Sequence, residues 1–245
     1  MELRRYDILF KNEEDHWWFR GRRKLLKEIF KKISRKTPIK ILDVGCCTGY
    51  NLHLLNKYGK VYGVDLEKKA VDYCHKRGFK TVKLLKNGLK LPFKKNSFDI
   101  ITCLDVLEHI PEDEIYLKEL YRVLKPKGKL ILFTPAIKLL WSQLDVKSHH
   151  QRRYTKEELA KKAKKAKFNI KEINYFNYLL FFPMLPVRLI QKLPTFKKTD
   201  WGSELIVGNR FINWILTTIF SLDVWSLKWI SPPIGVSVYF IAEKK

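Results

Sequence analysis

Hydrophobic and polar residues follow two periods along this chain. Short apolar runs that suit buried strands lie at 41–44, 61–64, 81–85, 98–105 and 129–134, and helical spacing of apolar residues separates them. Two later runs, 169–176 and 236–242, complete a set of seven strands. Strands that alternate with helices are typical of βαβ units. We therefore predict an α/β fold with a doubly wound, mostly parallel, seven-stranded sheet.

Residue types at the segment ends predict where helices begin and end. Thr48 is expected to cap the helix after the first strand, and Pro111 is expected at the first position of the helix after the fourth. Thr155 and Glu158 have the spacing of a capping box, and Gly78 suits a helix C-terminus. Residues 141–154 read as a polar loop.

Two segments extend this plan. An amphipathic helix begins near residue 15, and a hydrophobic helical insertion separates the last two strands. Within the insertion, 211–222 carries no charge and leaves a very wide apolar face. We divide the chain into an N-terminal helical cap (1–36), a core (37–176), the insertion (177–235) and the last strand (236–245).

Residues 40–49, K-I-L-D-V-G-C-C-T-G, join a strand, a glycine turn and a helix N-terminus. Backbone N–H groups converge at such a junction, which suits a nucleotide-type ligand. The second strand ends on Asp65, where a carboxylate can accept both hydroxyls of a ribose. The turn lacks the G-x-G-x-x-G pattern of dinucleotide sites and any P-loop lysine motif. A ligand without a diphosphate is therefore favoured.

These residues, with 98–101 leading to Leu107–Ile110, resemble class I S-adenosylmethionine-dependent methyltransferases of the type 11/12-like superfamily. The resemblance covers about 40–136. It implies S-adenosylmethionine as cofactor, an active site at the carboxyl ends of strands one, two and four, and an antiparallel last strand between strands five and six. The family usually has glycine where Cys47 stands and aspartate where Asn87 stands. We expect these departures to alter affinity without abolishing binding.

The resemblance also implies roles for particular side chains. Asn87 would bond the adenine amino group, Leu89 and Leu104 would lie on the faces of the adenine ring, and Arg20 or Arg23 would face the methionine carboxylate from a helix that closes over the cleft. The alternative for the leucines is ordinary core, and for the arginines a solvated surface. The predicted cofactor-binding residues are Asp43, Gly45, Cys46, Cys47, Thr48, Gly49, Asp65, Leu66, Asn87, Gly88, Leu89, Leu104, Arg20 and Arg23.

A general base is needed only when the acceptor must lose a proton. His109 ends the fourth strand, while His149, His150 and Tyr154 lie after the fifth. We predict catalytic roles for His109, His149 and Tyr154; the alternative is structural hydrogen bonding. Residues 105–109 also resemble a run that can hold a divalent ion in ubiquinone-biosynthesis O-methyltransferases. Because similar runs simply end the strand in metal-free relatives, we predict no metal.

The charge and cysteine content of the chain limit the partners and the location that we expect. Forty-nine Lys and Arg against 25 Asp and Glu give a net charge of +24, which favours anionic partners, although a lysine excess is also typical of hyperthermophile chains. The basic residues are scattered and no base-flipping motif follows the fourth strand, so nucleic acid is not preferred. Four cysteines without C-x-x-C pairing, no signal-like N-terminus and no long uncharged run predict a cytoplasmic protein.

The insertion suggests where the acceptor is. Its apolar surface is rimmed by lysines and by tryptophans, which favour a membrane interface; the alternatives are a homodimer interface and a mini-core over the acceptor cleft. We therefore expect methyl transfer to a small-molecule, lipid or lipid-linked acceptor at the inner membrane face. The rival functions are an RNA methyltransferase and a non-catalytic partner protein. The tryptophans are Trp201, Trp214, Trp225 and Trp229.

Overall fold

A seven-stranded sheet forms the centre of the computed structural model, which describes residues 3–33, 39–190 and 206–245. Its strand order is β3-β2-β1-β4-β5-β7-β6, and β7 runs antiparallel to both β5 and β6 while the other pairs are parallel. The predicted fold class and the antiparallel last strand are confirmed. The strands are β1 Ile39–Val44, β2 Gly59–Asp65, β3 Val82–Leu84, β4 Phe98–Leu104, β5 Leu124–Pro135, β6 Phe168–Phe176 and β7 Ser237–Lys244.

Helices cover both faces of this sheet. Successive strand residues point to opposite faces, so Ile41 packs under α2, α3 and α9 while Leu42 packs under α5 and α7. The helices of the described residues are α1 Leu3–Asn12, α2 Trp17–Ile33, α3 Tyr50–Leu55, α4 Lys68–Lys76, α5 Asp113–Val123, α6 Gln143–Lys147, α7 Lys156–Lys165, α8 Phe181–Ile190 and α9 Arg210–Ser226, with 3₁₀ turns at Leu107–His109 and Lys138–Leu140.

The strand order reverses between β1 and β4, which pair side by side with Val44 opposite Cys103. Connections leave these two strands in opposite directions, so a crevice opens outside their carboxyl ends. Residues at the ends of β1, β2 and β4 therefore surround one space.

Several predicted helix boundaries are wrong. Gly49, not Thr48, is the N-cap of α3, and its φ of 84° is in the left-handed region that favours glycine. α5 begins at Asp113, two residues after Pro111, and a separate 3₁₀ turn occupies Leu107–His109. The polar segment 141–154 contains α6, which has its own capping box at Ser142 and Asp145. The capping box of Thr155 and Glu158 is confirmed.

The cap and the insertion form one continuous layer. Gly21 of α2 lies so close to α9 that a Cβ there would overlap the ring of Phe220. Asn213 of α9 accepts a hydrogen bond from Trp17 N–H at 2.8 Å and donates one to the Asp15 carbonyl at 2.9 Å. The polar side chain of Asn213 thus faces the cap helix.

The rest of α9 is strongly apolar on its outer side. Phe211, Trp214 and Trp225 are each more than half exposed. No helix among the described residues is both long enough and apolar enough to cross a bilayer. Trp201, one of the predicted rim residues, lies outside the described residues.

Candidate active site

A cleft of about 780 Å³ lies at the carboxyl ends of β1, β2, β4 and β5. The glycine turn and Asp65 form its floor at one end, and residues after β4 and β5 form the other. α1, α2, α6 and α8 contribute the cover. The predicted position of the site is therefore occupied by a cavity large enough for a nucleoside-sized ligand and an acceptor.

The glycine turn is held by the strand beside it. Gly45 and Cys46 N–H both donate to the Val64 carbonyl, at 2.8 and 3.2 Å. Gly45 has a φ of 66°, and a Cβ at this position would overlap Val106. Both the backbone angle and the packing therefore require glycine. Cys47 also has positive φ, 50°, an uncommon conformation for a residue with a side chain.

Asp65 is 8% exposed and lies at the floor of the cleft. Its carboxylate accepts hydrogen bonds from Cys47 N–H at 2.9 Å and Glu67 N–H at 3.0 Å, which fix its orientation against the turn. Burial raises the pKa of Asp65 despite these bonds. Each carboxylate oxygen keeps a second lone pair, so two ribose hydroxyls can still be bound.

Asp43 lies deeper, at the end of β1. It is buried and accepts a hydrogen bond from the Thr102 hydroxyl at 2.6 Å. Burial, with a smaller contribution from the charge of Asp65, raises the pKa of Asp43 to about 7. This carboxyl is therefore partly protonated near neutral pH.

The end of the cleft predicted for adenine differs in detail from expectation. Leu66, Gly88 and Leu104 line it as expected, joined by Leu85. Asn87 is exposed, and its side-chain oxygen accepts from Leu89 N–H at 2.8 Å. Neither Asn87 nor Leu89 is among the lining residues, because that local turn directs both away from the cleft.

Arg22, which was not among the predicted site residues, lines the cleft together with the predicted Arg23. Arg20 is exposed and outside the lining, which corrects the prediction for that residue. Arg23 lines the cleft, but its guanidinium donates to the carbonyls of Glu13 and Glu14. Arg22 is buried, ion-paired with Asp105 and bonded to the Ser237 hydroxyl at 3.2 Å. It lies on the same helical face as Leu25, Leu26 and Ile29, a signal that was present in the sequence.

Thr48 and Gly49 lie behind the turn and outside the lining. The Thr48 hydroxyl donates to the carboxylate of Glu13, and Arg77 binds that same carboxylate at 2.8 Å and the Thr48 carbonyl at 2.9 Å. Glu13 therefore ties the link between α1 and α2 to the glycine turn. The predicted cofactor contact of these two residues is replaced by a structural one.

At the other end of the cleft, Glu108, His109 and His150 meet. Their donor atoms all lie within 4.8 Å of one another. Glu108 is fully buried; one carboxyl oxygen accepts from Thr134 at 3.1 Å, and the other, Oε1, has no partner. Burial, reinforced by the charge of Asp105, raises the pKa of Glu108 well above its usual range. Burial and the neighbouring His150 lower the pKa of His109 to about 4.

His150 is held by a carboxylate. Its Nδ1 lies 2.9 Å from Asp145 Oδ1, and Arg153 binds both oxygens of that carboxylate at 2.8 and 3.0 Å. Asp145 is 1% exposed; burial opposes its ionisation, but the bonds from His150 and Arg153 outweigh burial and hold its pKa well below the usual value. Asp145 is thus ionised, and His150 Nδ1 is the donor.

The other two predicted catalytic residues are not part of this cluster. Tyr154 is buried in the core, donates to Asp113 at 2.8 Å and does not line the cleft, so the expectation that it faces an acceptor is wrong. His149 is exposed at the rim of the cleft, with a φ of 58°. A catalytic role for His149 stays a prediction.

The residue run that resembles a divalent-ion site does not present three free donors, because Asp105 is ion-paired with Arg22. The neighbouring group of Glu108, His109 and His150 has suitable spacing. However, burial raises the pKa of Glu108 and so disfavours the charged form that a dication needs, and Asp145 is compensated by Arg153. This environment suits proton handling better than a dication.

Doubly wound sheets with a glycine turn after the first strand commonly bind nucleotide-type ligands outside the carboxyl ends of their strands. Residues 42–132 match the family model described as a methyltransferase domain. Over 131 residues the chain is 40% identical to a demethylmenaquinone methyltransferase from Lactobacillus johnsonii, an alignment that covers 47% of this chain and 54% of that protein. The chain spans about half the length of the curated relatives it matches.

Solved structures agree at the level of fold. A SAM-dependent methyltransferase from Aquifex aeolicus is 25% identical, with a TM-score of 0.50 over 61% of this chain and 82% of that one. An S-adenosylmethionine-dependent methyltransferase from Mesorhizobium loti is 13% identical, with a TM-score of 0.58 over 88% of this chain and 95% of that one. Over residues 42–132 the chain is therefore similar to S-adenosylmethionine-dependent methyltransferases.

Proposed function

We propose that this protein transfers a methyl group from S-adenosylmethionine to a small acceptor that carries an apolar chain, such as a reduced polyprenyl quinone, at a membrane surface. The observation that carries the proposal is the continuity of the cleft. One cavity runs from the glycine turn and Asp65, past Glu108 and His150, to the apolar helix α8.

The residues present fit the cofactor. Asp65 would hold the ribose hydroxyls, the turn at Gly45 would lie beside the ligand, and Leu66 and Leu104 would contact the adenine. When bound, the cofactor supplies an electrophilic methyl group on a sulfonium. The protein then has to bind, align and exclude water. Alignment alone can contribute about 7 to 11 kcal/mol.

An apolar path leads out of the cleft along α8. Met184 and Val187 line the cavity, and Val187 is also 52% exposed. Phe182 and Ile190 of the same helix continue the apolar surface outside. This path suits the chain of a lipid-like acceptor whose polar head lies beside Glu108. The demethylmenaquinone methyltransferases among the relatives support an acceptor of the quinone type.

Membrane contact is proposed through the outer side of α9 and the turn that follows. Tryptophans and apolar residues there are exposed, and the net charge of +24 favours an anionic lipid surface. Backbone N–H groups of Asn177, Tyr178 and Leu179, just before α8, donate to Asp223 of α9, so membrane contact through α9 would bring the α8 path close to lipid. The exposed residues in question are Phe211, Ile212, Trp214, Leu222, Trp225, Trp229 and Ile230.

Cofactor binding is tested by isothermal titration of the full chain with S-adenosylmethionine. We expect saturable binding by the wild type and an affinity lower by about 10- to 100-fold in Asp65→Ala, since hydrogen bonds to a charged group contribute about 1.5 to 3 kcal/mol. Asp72→Ala, which removes an exposed carboxylate of α4, is the matched control and should bind like the wild type. No binding by the wild type, or equal binding by Asp65→Ala, would contradict the proposal.

Membrane contact is tested by flotation with vesicles of phosphatidylcholine containing about a third phosphatidylglycerol. Trp225→Ser with Trp229→Ser should reduce the bound fraction, because both rings are more than half exposed. Ile115→Ser, an equally exposed apolar residue on α5, should leave it unchanged. A wild type that fails to float, or that sediments as a dimer through this surface, removes the membrane part of the proposal and leaves the methyl transfer standing.

A further inference from the structure

His150 is the histidine of the cleft whose orientation is fixed by a buried carboxylate. Its Nδ1 donates to Asp145, which leaves Nε2 as the ring nitrogen available to the cleft. Asp145 is itself locked by Arg153 and by the backbone N–H of Ser142, which donates to Oδ2 at 2.9 Å. An imidazole with one ring nitrogen bonded to a carboxylate and the other open to the cleft has the arrangement of a general base.

Resting on the methyl transfer proposed above, we propose that His150 is the general base that removes the proton from a hydroxyl of the acceptor, and that Asp145 is its positioning residue. The acceptor would accordingly be a phenol or a hydroquinone, whose oxygen becomes a nucleophile, or activates its ring carbon, only when the proton leaves.

The proton step balances within the site. The acceptor O–H bond breaks, its electron pair stays on the acceptor oxygen, and the proton goes to Nε2 of His150. For transfer to oxygen, that electron pair forms the new bond to the methyl carbon while the pair of the carbon–sulfur bond stays on sulfur. For transfer to the ring carbon, the oxygen pair forms a carbonyl and the adjacent ring C=C pair forms the bond to the methyl carbon; the ring C–H proton then leaves to water as the carbonyl oxygen regains a proton. The positive charge lost when the sulfonium becomes a thioether reappears on the His150 imidazolium, beside the carboxylate of Asp145.

His109 and Glu108, the neighbours of His150, have different properties. His109 packs edge-on against His150, with ring centroids 4.7 Å apart, and its pKa of about 4 makes it a weak proton acceptor. Glu108 lines the cleft with Oε1 buried and unpartnered, so it can hydrogen-bond the same hydroxyl and hold it near Nε2. The charged groups around His150 are Asp145, Arg153 and Asp105 with its partner Arg22, together with Arg5 from α1 and Arg188 from α8.

The pairing of His150 with Asp145, called the dyad below, can be tested in the ligand-free protein through the tautomer of the His150 ring. In nitrogen-detected NMR of protein labelled at histidine, the resonances lost in His150→Gln should be those of a ring whose neutral form carries its proton on Nδ1. In Asp145→Asn the same ring should lose that fixed tautomer. A wild-type His150 protonated at Nε2, or an unchanged tautomer in Asp145→Asn, would overturn the proposal without any assay of methyl transfer.

The kinetic test uses labelled S-adenosylmethionine and a reduced 1,4-naphthoquinone with a short prenyl chain as the acceptor probe. His150→Gln should lower kcat by about 100- to 10,000-fold while cofactor affinity by titration stays within threefold. The acidic limb of the kcat/KM profile should disappear, and Asp145→Asn should reproduce most of the loss. His53→Gln, an exposed histidine of α3 outside the cleft, is the matched control and should match the wild type.

Each remaining outcome is decisive. A His150→Gln protein with full kcat, or activity in the wild type that a chelator abolishes and Mg²⁺ restores, would overturn the proposal in favour of another base or a metal. A wild type that binds no S-adenosylmethionine would overturn the proposed function instead, while the tautomer measurement still tests the dyad. Circular dichroism melting of each variant separates loss of fold from loss of chemistry.

Discussion

The floor and the cover of the cleft are built in different ways. The floor comes from one continuous stretch, 41–66, in which two strands pair in register and backbone N–H groups fix both the turn and Asp65. The cover comes from α1, α2, α6 and α8, which are far apart in the chain and meet through side chains. Ligand geometry at the floor therefore depends on backbone conformation, whereas at the cover it depends on packing and ion pairs.

The comparison predicts its largest effect at Gly45. Gly45→Ala places a Cβ where φ is 66° and where Val106 already fills the space, so the turn must move. We expect the affinity for S-adenosylmethionine to fall by at least about 100-fold, or ~2.7 kcal/mol, in isothermal titration. Gly78→Ala is the matched control, since φ is 91° there but no atom lies within 4 Å of the new Cβ. Gly78→Ala should lower the free energy of unfolding by about 1 to 2 kcal/mol and leave the affinity unchanged. Equal losses of affinity in both variants would contradict the idea that close packing at Gly45 fixes the geometry of the floor.

The same division explains how much of the site could be predicted from the sequence. The strands, the turn and Asp65 follow from local patterns, and all lie where expected. Arg22 was passed over for Arg20 and Arg23 because its buried side chain is recognisable only from its place on the apolar face of α2. The pairing of His150 with Asp145 depends on a short helix, α6, that the polar sequence of 141–154 does not indicate.

A second effect, smaller than that at Gly45, is expected at the cover. Gly21→Ala introduces a Cβ that overlaps Phe220, so α2 and α9 must separate. Overpacking of this kind costs about 1 to 3 kcal/mol, measurable by urea unfolding. The double variant Gly21→Ala with Phe220→Leu should be less destabilised than the sum of the two single variants, because the smaller side chain vacates the space. Additive losses would show that the helices do not depend on this contact.

The raised pKa of Asp43, a residue of the floor, predicts that folding stability depends on pH. Folding raises its pKa from 3.8 to about 7, so ionisation of Asp43 destabilises the folded state. The loss of folding stability begins above pH 3.8 and reaches its full size above about pH 7. Asp43→Asn keeps the acceptor for Thr102 and removes this loss. Its stability relative to the wild type should therefore be about 2 kcal/mol more favourable at pH 8 than at pH 5. Asp72→Asn, which removes an exposed carboxylate, should show no such change, and a flat difference for Asp43→Asn would mean that Asp43 is ionised at both pH values.

The smallest effect is expected at Cys47, a residue of the floor that stands where the resembling family usually has glycine. Cys47 has a φ of 50°, which costs a residue with a side chain about 1 to 2 kcal/mol, and Cys47→Gly removes that cost. The gain is partly offset because glycine has more freedom in the unfolded chain, so the net stabilisation should be under ~1 kcal/mol. The Cys47 N–H that binds Asp65 is retained, so cofactor affinity should stay within about threefold of the wild type. Cys47→Ser, with the same backbone constraint, should gain nothing. A tenfold loss of affinity in Cys47→Gly would instead indicate that the thiol side chain itself contacts the cofactor, and the floor would then share the cover's dependence on side chains.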